Sequence, residues 1–289
     1  MSNFKAVFNK HDLSELFVIE PPKRTLTAWE PTMVESVIGS VPTGTKPQPM
    51  EITLTLTTFA DTPENRLADL RTLSQWLAVD EPKPIVLTDE VLNTVWSGGR
   101  WVDEYALRDA YPTGAPKVTP ALNATTAEVT FICPDPRAYI TAANFFPTSE
   151  GESINDTKNA RGYVWDSPAS MQPATIGGTA PTKPRFYFNG LHGDSSGKFS
   201  LKLKYTDEQN TQQTKYVTID AAEDASLNVD VDFEKRMLRV GESGGGGTLY
   251  PVFDAQLEWF DLIAGTTYTL EVAAGGFSRI SFSYYPRWW

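Results

Sequence analysis

Residues 126–139 read TAEVTFICPDPRAY, and this stretch divides the chain. Apolar residues occupy every second position from Ala127 to Cys133, which is the alternation of a half-buried β-strand. The prolines of the CPDP segment follow at once, and proline has no N–H to donate to a neighbouring strand. The pattern therefore predicts a core strand that ends at Cys133, with one domain over residues 1–138 and a second over residues 139–289.

Composition limits the classes of function. The chain has 289 residues, enough for two domains that each bury a core. Its net charge of −11 counts against binding to nucleic acids or anionic membranes. No apolar run is long enough to span a bilayer, and the start of the chain lacks the apolar stretch of a signal peptide. With one cysteine and two histidines, the sequence predicts no disulfide and no metal site, and we expect synthesis in a cytoplasm.

The first domain is predicted to carry a long hairpin arm. Extended segments at residues 25–39 and 50–59 flank a Gly- and Pro-rich tip at residues 39–49. A lone two-stranded ribbon is marginal in water, so we expect its apolar rows to lie on an adjacent subunit. The predicted interface residues are Trp29, Met33, Val34, Val37, Ile52, Leu54 and Leu56.

One helix is predicted among these strands. Thr62 is placed as its N-cap and Pro63 at its first position. Apolar residues then recur at steps of three and four up to about Val79, and Pro82 ends the pattern.

The second domain is predicted to be a β-sandwich. Alternating apolar residues mark seven or eight segments from Arg185 onwards, such as the run from Phe199 to Tyr205. Regularly spaced short strands with almost no helical pattern are typical of sandwiches and barrels.

Taken in order, five segments of the chain resemble the siphophage distal tail protein family. They are the opening strands around Leu16 to Ile19, the Pro-rich hairpin, the helix followed by KPIVLTDE, the GGTAPTKP entry to the second domain, and VDFEKRMLRV at residues 231–240. The FICPDPRAY closure of the first domain belongs to the same resemblance.

The resemblance implies a mainly β protein with an N-terminal β-sandwich that carries the arm, and a C-terminal galectin-like or jelly-roll sandwich. It implies a structural role in the virion, as a hexameric ring hub that joins the tail tube to the baseplate and receptor-binding apparatus. The implied partners are further copies of the chain, the tail tube protein, the tail-tip hub protein and a receptor-binding protein.

Two groups of residues raise the question of catalysis. Asp230, Asp232 and Glu234 share one face of a predicted strand, with neighbouring carboxylates roughly 6.5 Å apart, as in inverting glycosidases or calcium sites. Catalytic pairs normally face each other across a cleft from different strands, so we interpret the row as a solvated sheet face. His192, Asp194 and Ser195 are too close in sequence to form a catalytic triad and indicate a turn.

No other motif points to an enzyme. Four consecutive glycines at residues 244–247 lack the lysine of a phosphate-binding loop and predict a flexible loop. Cys133 alternates with core residues, which predicts a buried, inert thiol. The sequence thus predicts a protein without enzymatic activity, cofactor or metal.

An alternative function is carbohydrate binding, because aromatic rings stack on sugar rings. Host cell-wall glycans would then be recognised by the C-terminal sandwich. The candidate contacts are Trp259, Trp288 and Trp289, although these side chains can equally close the last strand or pack on the body of the protein.

Overall fold

The computed structural model shows a predominantly β chain, as predicted, with a single α-helix in its described part. The chain divides into two compact units, residues 1–159 together with Trp289 and residues 160–288. No helix among the described residues is long and apolar enough to cross a membrane. The structure describes residues 4–25, 29–36, 39–58, 60–97, 99–141, 158–242, 249–252 and 257–289.

The first unit contains twelve of the strands and the helix. They are β1 (Ala6–Phe8), β2 (His11–Asp12), β3 (Phe17–Ile19), β4 (Lys23–Arg24), β5 (Trp29–Ser36), β6 (Gly39–Pro47), β7 (Met50–Thr58), α1 (Pro63–Leu77), β8 (Lys83–Ser97), β9 (Arg100–Pro112), β10 (Lys117–Pro120), β11 (Thr125–Cys133) and β12 (Ala138–Ile140).

The junction strand β11 lies where the sequence predicts it and ends at Cys133. It pairs with β7 over the full length of both strands, from Thr125 opposite Thr58 to Cys133 opposite Met50. The sheet runs in the order β2-β1-β8-β9-β11-β7-β3, with β4, β10 and β12 beside this path. Every second residue of β11 is buried, so the predicted alternation does form the core face.

Helix α1 begins and is capped as the sequence predicts. The Thr62 side chain accepts a hydrogen bond from the Asn65 N–H at 3.2 Å. Pro63 has no N–H to donate, which costs nothing at the first helical position because an N–H there has no acceptor within the helix. Leu73 and Leu77 pack into the same apolar cluster as Phe131 and Leu54. The helix therefore covers the inner face of the sheet.

The predicted pairing of the hairpin arm is wrong. β5 pairs with β6, and these two strands form a separate sheet that includes no other described strand. The segment predicted as a Gly- and Pro-rich tip is largely strand β6, while β7 belongs to the core sheet. The prolines and glycines within β5 and β6 did not prevent pairing. In a two-stranded ribbon half of the backbone N–H groups have no ladder partner, so a proline can occupy such a position without loss of a hydrogen bond.

The arm has a narrow base. Lys23 and Arg24 of β4 pair with Thr53 and Ile52 of β7, and the Thr25 N–H donates to the Glu51 carbonyl oxygen at 3.1 Å. The chain thus leaves the core sheet and re-enters it at neighbouring positions.

A second hairpin, β8–β9, extends beyond the core sheet. Residues 83–97 and 100–112 form this one long ribbon. Its pairs run from Lys83 opposite Ala110 to Ser97 opposite Arg100. Neighbouring strands β1 and β12 pair only with its base, at residues 85–87 and 106–107.

The division between the two units follows Asn159 instead of residue 138. After the CPDP corner, β12 pairs with β9, so residues 138–140 still belong to the first sheet. The Arg108 Nε donates to the Pro136 carbonyl oxygen at 3.0 Å, and its two Nη atoms bind the Glu90 carboxylate at 2.6 and 2.8 Å. This buried clamp fixes the corner against β8 and β9.

The second unit has eleven strands. They are β13 (Arg161–Trp165), β14 (Ala174–Thr175), β15 (Pro184–Leu191), β16 (Lys198–Thr206), β17 (Gln212–Asp220), β18 (Leu227–Asp232), β19 (Met237–Glu242), β20 (Tyr250–Val252), β21 (Thr267–Ala274), β22 (Arg279–Tyr284) and β23 (Arg287–Trp288).

Two sheets of the second unit share one core, as expected for a sandwich. Their orders are β13-β22-β15-β18-β19-β20 and β14-β21-β16-β17. Phe186 and Phe282 of the first sheet lie in the same buried cluster as Phe199 and Leu270 of the second. Phe186 and Phe282 pack with their ring centroids 5.1 Å apart.

Candidate functional site

Two members of the acidic row, Asp230 and Asp232 of β18, are buried and not on the solvated face that the sequence predicts, whereas Glu234, which follows β18, is exposed. The exposed fraction of Asp230 is only 1%. The Arg185 Nε and Nη2 donate to its two carboxylate oxygens, both at 2.9 Å, and the Arg239 Nη2 donates to Oδ2. Arg239 lies directly opposite Asp230 in the register of β18 and β19, so strand pairing itself brings these charges together.

The other two carboxylates of the row are also bound. Asp232 Oδ1 accepts the Lys235 N–H at 3.0 Å and so closes the turn after β18. Glu234 Oε2 accepts a hydrogen bond from the Arg287 Nη2 at 2.5 Å. The three carboxylates thus have structural roles, because each of them binds its own cation or backbone group.

Protonation of Asp230 is controlled by its arginines. Burial alone would raise the pKa of this carboxyl, but the hydrogen bonds and charges of Arg185 and Arg239 outweigh burial and hold the pKa below its ordinary value. A general acid needs a raised pKa so that it carries a proton near neutral pH. Asp230 has the opposite shift.

Asp194 and Ser195 begin a turn, as predicted, which the Gly197 N–H closes by donating to the Asp194 carbonyl oxygen at 2.9 Å, whereas His192 forms a β-bridge with Gly276. Asp194 Oδ1 accepts hydrogen bonds from the Ser196 N–H at 2.9 Å and the Ser196 hydroxyl at 2.6 Å. A Cβ atom at Gly193 would overlap the Ala221 carbonyl oxygen, so a close backbone approach requires glycine there. The Asp194 carboxylate therefore stabilises the turn. No described hydrogen bond joins Ser195 to His192. The four glycines at residues 244–247 lie outside the described residues.

Cys133 is buried, as predicted. Burial in the core raises the pKa of its thiol to about 12. The thiolate, which is the nucleophile and metal ligand, is therefore almost absent at neutral pH. In the part of the chain that the structure describes, no group of three or more His, Cys, Asp or Glu side chains is arranged to hold a metal ion.

The tryptophans predicted to contact glycans differ in their surroundings. Trp259 packs edge-on against the core residue Phe233, with ring centroids 5.1 Å apart, and Trp288 is half-buried. Trp289 is counted with the first unit, where the Arg137 guanidinium lies 5.8 Å from its ring centroid.

Three of the predicted interface residues are not available to another subunit. Ile52, Leu54 and Leu56 point into the core of the first unit, because β7 is a central strand of its sheet. Trp29, Met33 and Val34 lie on β5, where the backbone is described and the side chains are outside the described residues. Val37 lies wholly outside them.

An exposed aromatic pair was missed by the sequence reasoning. Trp96 and Trp101 stand opposite each other near the end of the β8–β9 hairpin, with ring centroids 5.4 Å apart. Their exposed fractions are 61% and 69%. The signal in the sequence was WSGGRW, in which two tryptophans flank a Gly-Gly turn symmetrically.

The described residues form a mainly β fold in two compact units. The SPP1 Dit (gp 19.1) protein, described as a paradigm of the hub adsorption apparatus in phages that infect Gram-positive bacteria, is similar to it in fold. Its crystal structure aligns with a TM-score of 0.56 and 14% identity over 98% of each chain. The predicted resemblance to distal tail proteins is thus confirmed for the fold.

Other comparisons add less. Two structures of the phage p2 baseplate in its activated conformation, with Sr and with Ca, align over 98% of this chain and 97% of theirs, with a TM-score of 0.42 and identities of 10% and 11%. No protein-family model matches the chain, and no curated protein matches its sequence.

Proposed function

We propose that the chain is a structural component of a siphophage tail tip, a ring hub that joins the tail tube to the baseplate and receptor-binding apparatus. The observation that carries this proposal is the end-to-end match of fold with SPP1 Dit, which covers 98% of both chains. In this proposal the first unit forms the ring and the second is a galectin-like domain that faces other tail components. The partners are the tail tube protein, the tail-tip hub protein and a receptor-binding protein.

Ring formation is supported by the architecture of the arm. β5 and β6 pair only with each other among the described strands, and an isolated two-stranded ribbon is marginal in water. An arm that lies on the next subunit gains the packing that it lacks in its own. Repetition of such a heterologous contact closes into a ring when the rotation permits. The resemblance to distal tail proteins supplies the expected number of six.

The protonation states of Asp230 and Cys133 fit a role without catalysis. Asp230 is held ionised between two arginines, and Cys133 is held as a neutral thiol. We expect the pure protein to show no wall-degrading activity.

Carbohydrate binding by the second unit is a second proposal. Trp259 is engaged with the core, which leaves less of its ring for a sugar. A glycan array probed with the full chain tests it, and binding lost on Trp259→Ala would favour it.

The ring is tested by native mass spectrometry and electron microscopy of the purified full chain. We expect a species of six copies and ring-shaped particles. A chain that stays monomeric at every concentration, or that forms open filaments, would count against the proposed function.

A further inference from the structure

The β5–β6 arm and the β8–β9 hairpin are joined where they leave the core sheet. Arg24 is the last residue of β4, the strand that precedes the arm. Its Nη2 donates to Asp89 Oδ1 at 2.6 Å and lies 3.7 Å from Glu90 Oε2. Both carboxylates belong to β8, near the base of the β8–β9 hairpin. Arg24, Asp89 and Glu90, here called the root brace, therefore connect one hairpin to the other.

A large bulge in β8 supplies the two carboxylates. Between the pairs Val86–Leu107 and Val91–Tyr105, residues 87–90 of β8 oppose a single residue of β9. Consecutive residues of a regular strand point to opposite faces, so neighbouring side chains do not normally reach one partner. A bulge disrupts the ladder and redirects side chains. Here it brings two consecutive carboxylates to the same arginine.

The root brace joins strands that the backbone does not pair. Arg24 stands opposite the core residue Ile52 of β7, so its side chain leaves the sheet on the face that covers the core. In the order β8-β9-β11-β7, two strands separate β8 from β7. The Arg24 side chain thus links two parts of the sheet that share no ladder.

Glu90 is held by a second arginine, Arg108 of β9. The Nη atoms of Arg108 donate to both Glu90 oxygens at 2.6 and 2.8 Å, and this bidentate geometry fixes the carboxylate independently of Arg24. Burial alone would raise the pKa of Glu90, but Arg108 and Arg24 outweigh it and hold the pKa below its ordinary value. Glu90 is therefore ionised at neutral pH and offers Arg24 a fixed negative charge.

Stability alone is a poor explanation of the root brace. The Arg24 Nε is buried without a hydrogen-bond partner among the described residues, which opposes folding. Partly exposed ion pairs add little stability, but in some proteins such groups fix one conformation over others. In the described part of the chain, backbone pairing holds the entry to the arm only at Lys23 and Arg24 and through hydrogen bonds between Thr25 and Glu51. The direction of the arm is thus left for a further contact to define.

We propose that the root brace holds the arm and the β8–β9 hairpin at a fixed mutual angle, and that Arg24 is a positioning residue for ring assembly. The consequence for assembly rests on the proposed ring. An arm that is already directed in the free chain loses less conformational freedom when it meets a neighbour, and such preorganisation strengthens binding. An arm that swings about β4 must be ordered at every contact. Loss of the brace therefore weakens the ring while the first unit stays folded.

The angle is measured in the full chain by single-molecule fluorescence energy transfer. Lys46→Cys on the arm and Arg100→Cys at the end of the hairpin carry the two dyes, because both positions are exposed. Cys133 stays in place, since its thiol is buried and has a pKa of about 12. The measurement is made at concentrations where the chain is a monomer, so that no neighbour holds the arm. Donor lifetimes detect swings that are faster than the observation time.

Two variants break the root brace and a third preserves its charge. We expect one narrow transfer peak for the wild type, a broadened distribution for Arg24→Gln and for Asp89→Ala, and a peak close to the wild type for Arg24→Lys. Arg279→Gln is the matched control, because it removes a 2.6 Å ion pair with Asp166 in the second unit and should leave the peak unchanged. Circular dichroism confirms folding, and Asp89→Ala decides the matter should loss of the arginine unfold the chain.

Ring assembly is followed on the unlabelled chains by sedimentation velocity over a dilution series. We expect Arg24→Gln and Asp89→Ala each to raise the ring dissociation concentration about tenfold. Because the two residues act through one contact, the double variant is expected to cost no more than Arg24→Gln alone. Arg24→Lys and Arg279→Gln should assemble as the wild type does.

The fluorescence result is independent of the ring, so the two proposals can fail separately. An unchanged distribution in both brace variants, or a wild-type distribution that is already broad, overturns the brace and leaves the proposed function standing. A broadened distribution with unchanged ring dissociation refutes the role of Arg24 in assembly. A wild-type chain that forms no ring at any concentration contradicts the proposed function, and with it the part of this inference that concerns assembly.

Discussion

Asp230 combines burial with charge, and this combination has a consequence for stability. Because Arg185 and Arg239 depress the pKa of Asp230 in the folded state, the carboxylate stabilises the fold above its unfolded-state pKa of about 3.8. That stabilisation is lost as the pH falls through the lower, folded-state pKa. We predict that Asp230→Asn lowers the free energy of unfolding by about 2 kcal/mol at pH 7, a value reduced because both arginines are partly exposed.

Urea denaturation at neutral and at strongly acidic pH checks this prediction. The difference between wild type and Asp230→Asn should shrink once the wild-type carboxyl is protonated. Glu258→Gln is the control, since its carboxylate is mostly exposed and pairs only at 3.2 Å with Lys215 in the contacts described. Equal losses for both variants would contradict the role given to Asp230.

Cys133 gives a prediction of chemical reactivity at the same scale. Burial raises its thiol pKa to about 12, so almost no thiolate forms at pH 8. We predict that the folded protein resists a thiol-alkylating reagent at pH 8, and that the protein unfolded in guanidinium takes up one equivalent. Mass spectrometry of the product counts the labels. Labelling of folded and unfolded protein at the same rate would show that the strand end at Cys133 is open.

Among the elements, those with local signals were predictable from sequence. Helix α1 begins at Pro63 because its cap and apolar spacing lie within one short segment, and β11 ends at Cys133 because proline follows. Strand partners have no such local signal. The alternation of Ile52, Leu54 and Leu56 is the same for an arm and for a central strand, and only pairing with β11 decides that these residues are core.

The candidate site shows the same limit. The sequence placed Asp230, Asp232 and Glu234 in one row but could not show that Arg239 stands opposite Asp230, because cross-strand register depends on distant residues. The pairing of Trp96 with Trp101 could in principle have been predicted, since the two tryptophans flank Gly98 and Gly99 in the sequence. Their exposure could not have been predicted, because it depends on where the core sheet ends.

The arm can be removed without disturbing its base. Replacing residues 27–49 with an Asn-Gly turn keeps the register in which Arg24 faces Ile52 and closes β4 and β7 as an ordinary hairpin. We predict a folded chain that no longer forms rings at concentrations where the wild type does, because the arm contact with the neighbour is lost. Native mass spectrometry and a thermal melt measure the two outcomes.

A matched control separates loss of the arm from loss of a loop. Replacing residues 207–211, the turn between β16 and β17 in the second unit, with the same Asn-Gly pair should leave assembly intact. If the armless chain forms rings of unchanged copy number, the arm is not a link between subunits.

For the whole molecule, net charge is the property that bears on the proposed role. A ring that passes DNA through its bore must not hold phosphates, because basic groups bind DNA through the release of its condensed counterions. The chain carries 36 acidic against 25 basic residues, so repulsion from DNA is expected to exceed local attraction.

We therefore predict that the assembled protein passes through a DNA column without retention at about 50 mM salt, the condition that most favours ionic binding. Lowering the salt further strengthens repulsion as well as attraction, so an acidic ring should still elute with the unbound fraction. A basic protein loaded on the same column shows that the resin is active. Retention of the ring that is released by about 200 mM salt would reveal a basic binding surface and would contradict a non-adhesive bore.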